Sequence, residues 1–145
     1  MIKVKIKLLD KSLKPPSYAH SGDAGFDLYS GISCTLKPKE RRKIPTGIKI
    51  AIPKGYAGYI QPKSGLALKN GIGVVNSPGL VDSGYRGEVC AILINMDPEK
   101  SFNIKKGDKI CQMVIQKIEE VQLTETANLD DTGRGEGGFG STGKV

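Results

Sequence analysis

The chain has 145 residues and a mass of 15.5 kDa, the size of one domain with a short appendage, and 22 Lys and Arg against 15 Asp and Glu give it a net charge of +7. No apolar run approaches the ~20 residues of a transmembrane helix, and the residues after Met1 lead into alternation rather than a signal-peptide core, which argues against a membrane span and conventional secretion. Three separated cysteines (Cys34, Cys90 and Cys111) and a single histidine, His20, make neither a disulfide framework nor a zinc site, and they point to a reducing, cytoplasmic setting.

Residues 2–8 alternate apolar and basic side chains with period two, the pattern of a half-buried strand with lysines on its wet face. Comparable runs follow at 32–36, 42–52, 56–61, 72–75, 88–95, 101–104 and 109–121. Turn formers separate them, among them Pro53-Lys54-Gly55, Ser77-Pro78-Gly79, Asp82-Ser83-Gly84 and Lys106-Gly107-Asp108. Only 64–69 reads as a helix, and a short one. Many short strands between regular turns predict an all-β fold, a jelly-roll-like β-barrel spanning residues 1–127.

From residue 128 the pattern changes. Residues 131–143 hold six glycines and one apolar side chain, Phe139, too little buried surface to offset the entropy of ordering. This predicts a mobile C-terminal arm, 128–145. Charge divides along the same line: residues 1–122 carry +9 and the remainder −2. A basic body expects an anionic partner.

Three motif matches in the chain do not survive their context. Gly133-x-Gly135-x-x-Gly138 has the spacing of a dinucleotide fingerprint but lacks the strand before it and the helix after it. Residues 138–144 approach a phosphate-binding loop, yet Val145 stands where a metal-binding hydroxyl belongs. The lysines of 2–8 suggest nucleic-acid binding, but aromatic side chains make up only 6% of the chain, and such lysines also serve simply to block edge pairing. No nucleic-acid partner is expected.

Five other segments are richer in Gly, Asp, Ser, Gln and Arg than a plain barrel requires: Ala24-Gly-Phe-Asp-Leu-Tyr-Ser30, Pro62-Lys-Ser-Gly-Leu-Ala67, Gly79-Leu-Val-Asp-Ser-Gly-Tyr-Arg-Gly-Glu-Val89, Gly107-Asp-Lys-Ile-Cys-Gln112, and the arm from Arg134 to Gly143. In this order and at these separations they resemble the five motifs of the homotrimeric dUTPases, over nearly the whole chain. The resemblance implies hydrolysis of dUTP to dUMP and pyrophosphate by water attack on the α-phosphate. It also implies a Mg²⁺ cofactor and a homotrimer with shared active sites.

By that resemblance Asp82 is the general base, and Asp27 makes a water-mediated contact to the metal. Lys63, Ser64, Gly65 and Gln112 contact the phosphates. Asn76, with the backbone of Gly79 and Val81, reads the uracil edge, and Tyr85 lies beneath the deoxyribose. Phe139 stacks on the base, Arg134 reaches the γ-phosphate, and Gly140, Ser141 and Thr142 close the lid. The chemistry fits these residue types. An ionised Asp only accepts hydrogen bonds, which suits orienting a water. A positioned base supplies ~10²–10⁴-fold, so charge neutralisation must carry much of an enzymic rate. Arg86 and Glu88 read as structural, and Cys111 as a small buried apolar residue. One departure stands out: the family usually has Arg where this chain has Lys63, which keeps the charge and loses the bidentate fork. Catalysis is expected to persist, with weaker discrimination at the terminal phosphate or a looser trimer contact. A dCTP deaminase on the same fold and a non-catalytic nucleotide- or nucleic-acid-binding module are the rival readings.

Overall fold

The computed structural model describes residues 1–143, so the last two residues of the expected arm, 144–145, lie outside the described residues. In chain order the elements are β1 (Lys5–Leu8), β2 (Gly25–Tyr29), β3 (Cys34–Leu36), β4 (Arg41–Ala51), β5 (Tyr56–Gln61), α1 (Ser64–Asn70), β6 (Ile72–Val74), β7 (Gly79–Val81), β8 (Glu88–Asn95), β9 (Phe102–Ile104) and β10 (Lys109–Lys117). The fold is nearly all β and jelly-roll-like, as the strand spacing predicts. One antiparallel sheet has the order β1-β4-β8-β6, a second has β2-β10-β5-β7, and β3 pairs with β9 in a short ribbon. Among the described residues no helix is long and apolar enough to cross a membrane.

Alternation along the strands builds the core between the sheets. In β4 and β8 the inward positions are Ile44, Ile48, Ile50, Val89, Ala91 and Leu93; from the facing sheet come Leu28, Ile60, Val81 and Met113. Each is nearly or wholly buried. At ~25 cal/mol per Å² of apolar surface removed from water, these side chains are the main favourable contribution to stability.

The observed bounds depart from the expected ones for reasons of pairing. β1 begins at Lys5 rather than residue 2, because its register runs Lys5↔Ala51 and β4 ends there. β10 ends at Lys117 rather than 121, because that residue faces Tyr56, the first of β5. β2 is a full strand that the alternation rule misses, since Asp27 lies at its centre, buried, between Phe26 and Leu28.

Two irregularities shape the site. β4 carries a proline at Pro45, and its register with β8 shifts between Pro45 and Lys49, where a ladder N–H is dispensable. Gly47, in this bulge, has φ +71°, with Leu13 packed where a side chain would go. Its N–H donates to Glu88 Oε1 at 2.9 Å, which clamps the start of β8. The second shift lies between Lys109 and Cys111 in β10.

Fully buried Asn95 ties the sheet to the ribbon. Its Nδ2 donates to the carbonyls of Leu36 (3.1 Å) and Lys100 (2.8 Å), and its Oδ1 accepts from Asp97 N–H at 3.0 Å. Replacing Asn95 by Ala leaves these three groups without their partner, which should cost roughly 3 kcal/mol. Urea unfolding of the variant should show a lower midpoint at unchanged slope.

Candidate functional site

A cavity of about 390 Å³ opens beside the β7–β8 connection. Asn76, Gly79, Val81, Asp82 and Tyr85 line it, together with Lys43, Glu88, Cys90 and Ile92, which sequence reasoning did not place there. β7 is the outer strand of its sheet and pairs only with β5, so its other edge keeps free N–H and C=O groups. The Asn76 amide lies over Gly79, 3.4 Å from where a Cβ on that glycine would sit.

The loop 82–87 braces itself. Tyr85 N–H donates to the Asp82 carbonyl at 3.1 Å, and Tyr85 Oη donates to the Glu88 carbonyl at 2.9 Å. The Arg86 guanidinium donates to the carbonyls of Ser83 and Tyr85, both at 2.7 Å. Arg86 and Glu88 are thus braces, as expected. Gly87 lies under the Tyr85 ring, where a Cβ would collide with ring atoms, so it lets the ring fold over the loop. The Asp82 side chain is exposed, and among the described residues its carboxylate has no ion pair and no hydrogen bond.

A second cavity, about 290 Å³, shares no lining residue with the first. Asp23, Gly25, Asp27, Lys63 and Gln112 line it. Asp27 is 5% exposed. Its Oδ1 accepts from Lys63 Nζ at 2.5 Å and its Oδ2 from Lys109 Nζ at 2.6 Å. Burial pushes the carboxyl upward, but the two ammonium groups outweigh it and hold Asp27 below the usual carboxylate range. The same bond raises Lys109. Gln112 reaches the cavity from β10, where it faces Asp27, and donates one amide N–H to the Pro62 carbonyl at 3.1 Å. Lys63 occupies the N-cap position of α1 in extended backbone, with no side-chain cap; Ser64 and Gly65 form the exposed first turn. Cys111 is wholly buried behind this cluster, and burial pushes its thiol up to about 12.

The arm stands apart from both cavities. Arg134, Phe139, Gly140, Ser141 and Thr142 line neither, and among the described residues 131–143 make hydrogen bonds only within local turns, such as Arg134 Nε to the Gly137 carbonyl at 2.8 Å. Phe139 is fully exposed at φ +51°.

Among the described residues no cluster of three or more Asp, Glu, His or Cys side chains could hold a metal directly. Each Asp27 oxygen already accepts one lysine N–H and keeps one lone pair. That suits a contact through a metal-bound water and disfavours direct ligation. Mg²⁺ retains several waters and leans on substrate phosphates, so this donor set fits it.

The profile of the family described as dUTPase matches residues 11–143. The deoxyuridine 5'-triphosphate nucleotidohydrolase of Clostridium kluyveri is 53% identical over 140 residues, 97% of each chain. That of Corynebacterium glutamicum is 50% identical over 142 residues, 98% of this chain and 95% of the other. Among solved structures, a variant dUTPase of Staphylococcus bacteriophage 80alpha with dUpNHpp superposes with a TM-score of 0.90 at 29% identity, covering 99% of both chains.

The Asp27 pairs carry a pH signature. A carboxyl lowered on folding contributes stability that is present above its ordinary value of 3.8 and lost as pH falls through the folded value. The stability gap between the wild type and Asp27→Asn should therefore be constant near neutrality and close below about pH 4. Urea unfolding from pH 7 to pH 3 measures it.

Proposed function

Because this chain belongs to the dUTPase family and hydrolyses dUTP to dUMP and pyrophosphate, we propose that Asp82 is its general base and that the two cavities bind the two ends of the nucleotide. The observation that carries this reading is the uncommitted Asp82 carboxylate on the rim of a cavity whose other walls offer amide, backbone and aromatic groups.

The first cavity receives the nucleoside. The Asn76 side chain offers both a donor and an acceptor, and the free edge of β7 around Gly79 and Val81 adds backbone groups, together matching a uracil edge. On this reading the hairpin fits closely enough around the base to exclude the 5-methyl of thymine. Tyr85, braced by Glu88 and Gly87, places its ring under the deoxyribose, where a ribose 2'-hydroxyl would clash. Asp82 holds a water in line with the α-phosphorus and takes its proton as the oxygen attacks.

The second cavity receives the phosphates. Lys63 and Gln112, with the Ser64 hydroxyl and the Gly65 N–H, bind their oxygens. Asp27 fits an outer-sphere contact to Mg²⁺, which when bound neutralises phosphate charge. The arm then closes: Phe139 stacks on uracil, Arg134 meets the γ-phosphate, and Gly140, Ser141 and Thr142 seal out water. The reaction limits uracil incorporation into DNA and supplies dUMP for thymidylate synthesis, and the cysteine pattern suits the cytoplasm.

The trimer is part of the same reading. The nucleoside cavity, the phosphate cavity and the arm have no lining residue in common, so a complete site is most simply assembled from more than one copy. Leu80 beside the nucleoside cavity, Leu129 in the arm, and Val121 and Leu123 in the stretch that leads to the arm are exposed apolar side chains, available to bury against a neighbour.

Asp82→Asn should lower pyrophosphate release from dUTP by about 10²–10⁴-fold while dUpNHpp affinity holds within a few-fold. A near-parent rate sinks the assignment of the base. A mixing experiment tests the sharing of sites. Asp82→Asn chains and chains lacking residues 132–145, each inactive alone, should regain dUTPase activity when unfolded and refolded together. Absence of any recovery means that one chain supplies both base and arm.

A further inference from the structure

The two ammonium groups on Asp27 reach it from different sides. Lys63 comes from the phosphate cavity, which it lines with Asp27 and Gln112. Lys109 lines a separate hollow, with Tyr29 and Lys106, that contains neither Asp27 nor Lys63 in its wall. The register shift between Lys109 and Cys111 is the local cause. A bulge re-aims the side chain at its start, and here the side chain turned by it ends on Asp27 Oδ2. The two lysines are thus unequal: Lys63 lines the cavity proposed for the phosphates, and Lys109 reaches the same carboxylate from outside that cavity.

Resting on the reading of Lys63 as a phosphate contact, we propose that Lys109 is a positioning residue for the dUTP reaction, which keeps Asp27 neutralised and in place while the Lys63 ammonium passes from that carboxylate to the triphosphate. A buried carboxylate tolerates losing one counter-ion when a second remains, whereas losing its last one leaves an unpaired buried charge. Lysine forms single, rotatable N–H contacts, so Lys63 can exchange one oxyanion for another by rotation of its stem. Without Lys109 that exchange would strip Asp27 bare, and Lys63 would stay where it is. The role therefore concerns ligands that present β- and γ-phosphates, and not dUMP.

Calorimetric binding of dUpNHpp and of dUMP at fixed Mg²⁺ tests this. Lys109→Gln should weaken dUpNHpp about tenfold and dUMP less than about twofold, with Lys109→Arg restoring most of the loss. In an Asp27→Asn background, Lys109→Gln should have no further effect, since no carboxylate remains to be held. An equal loss for both ligands, no loss, or an undiminished effect in that background overturns the proposal. If Lys63→Gln leaves dUpNHpp binding intact, the Lys63 reading fails and takes this inference with it. Should Lys109→Gln not fold, lysine side-chain ¹⁵N NMR of the wild type decides. The Lys63 Nζ signal should move with dUpNHpp and not with dUMP while that of Lys109 stays, and movement of both or of neither is the contrary result.

Discussion

A carboxylate withdrawn from water and gripped by two ammonium groups is the interaction on which the proposed phosphate site depends. Asp27 sits in the middle of β2, where an apolar residue would serve the core better, and its burial is tolerable because both oxygens are paired. Each ion so buried costs several kcal/mol in lost hydration, and attraction at short range recovers this only with good geometry. The cluster therefore contributes less to stability than to place. It fixes the start of α1, through Lys63, against β2 and β10.

Stiffness is distributed to match. The sheet that carries Asp27, Gln112 and the free edge of β7 is held by its ladders and a dry core. The loop carrying Asp82 and Tyr85 lacks a ladder but is closed by its own carbonyls and anchored by Glu88 to the bulge at Gly47. Among the described residues the Asp82 carboxylate has no partner, although its carbonyl accepts from Tyr85 N–H. Such a distribution suits a base, whose partner is the water it must orient, and whose position is set by backbone rather than by bonds that would compete for its oxygens.

Much of this was legible in the sequence. Alternation and turn residues give eight of the ten strands and the helix, because burial on one face writes period two directly into the chain. β2 escaped because its central residue obeys the site rather than the core, and β7 because three residues are too few to show a period. Motif order points to Asp82, Tyr85, Lys63 and Gln112, the amide of Asn76 before the third motif adds a fifth, and the structure has these residues lining two hollows. It does not gather the arm with them. Cys90 and Lys43 gave no sequence signal that could be read: a strand partner and the wall of a cavity are properties of pairing across tens of residues. Lys109 lies inside the segment 107–112, but a lysine beside a Gly-Asp turn is ordinarily a solvated side chain, and the register shift that brings it onto Asp27 shows only in the pairing of β10 with β2.

The lysine at position 63 has a consequence that follows from its shape. A guanidinium presents five donors in a plane and can hold a carboxylate with one edge while offering the other to a phosphate, so it need not let go of Asp27 to bind substrate. An ammonium concentrates its charge at one nitrogen and has less reach to serve both at once. On the proposed reading of Lys63, lysine here makes the carboxylate and the triphosphate competitors for the same cation, and a second counter-ion on Asp27 then has a purpose that it would lack beside arginine. The register shift in β10 begins at Lys109, whose ammonium takes the Asp27 oxygen that Lys63 does not occupy, so each cation can hold the carboxylate without the other.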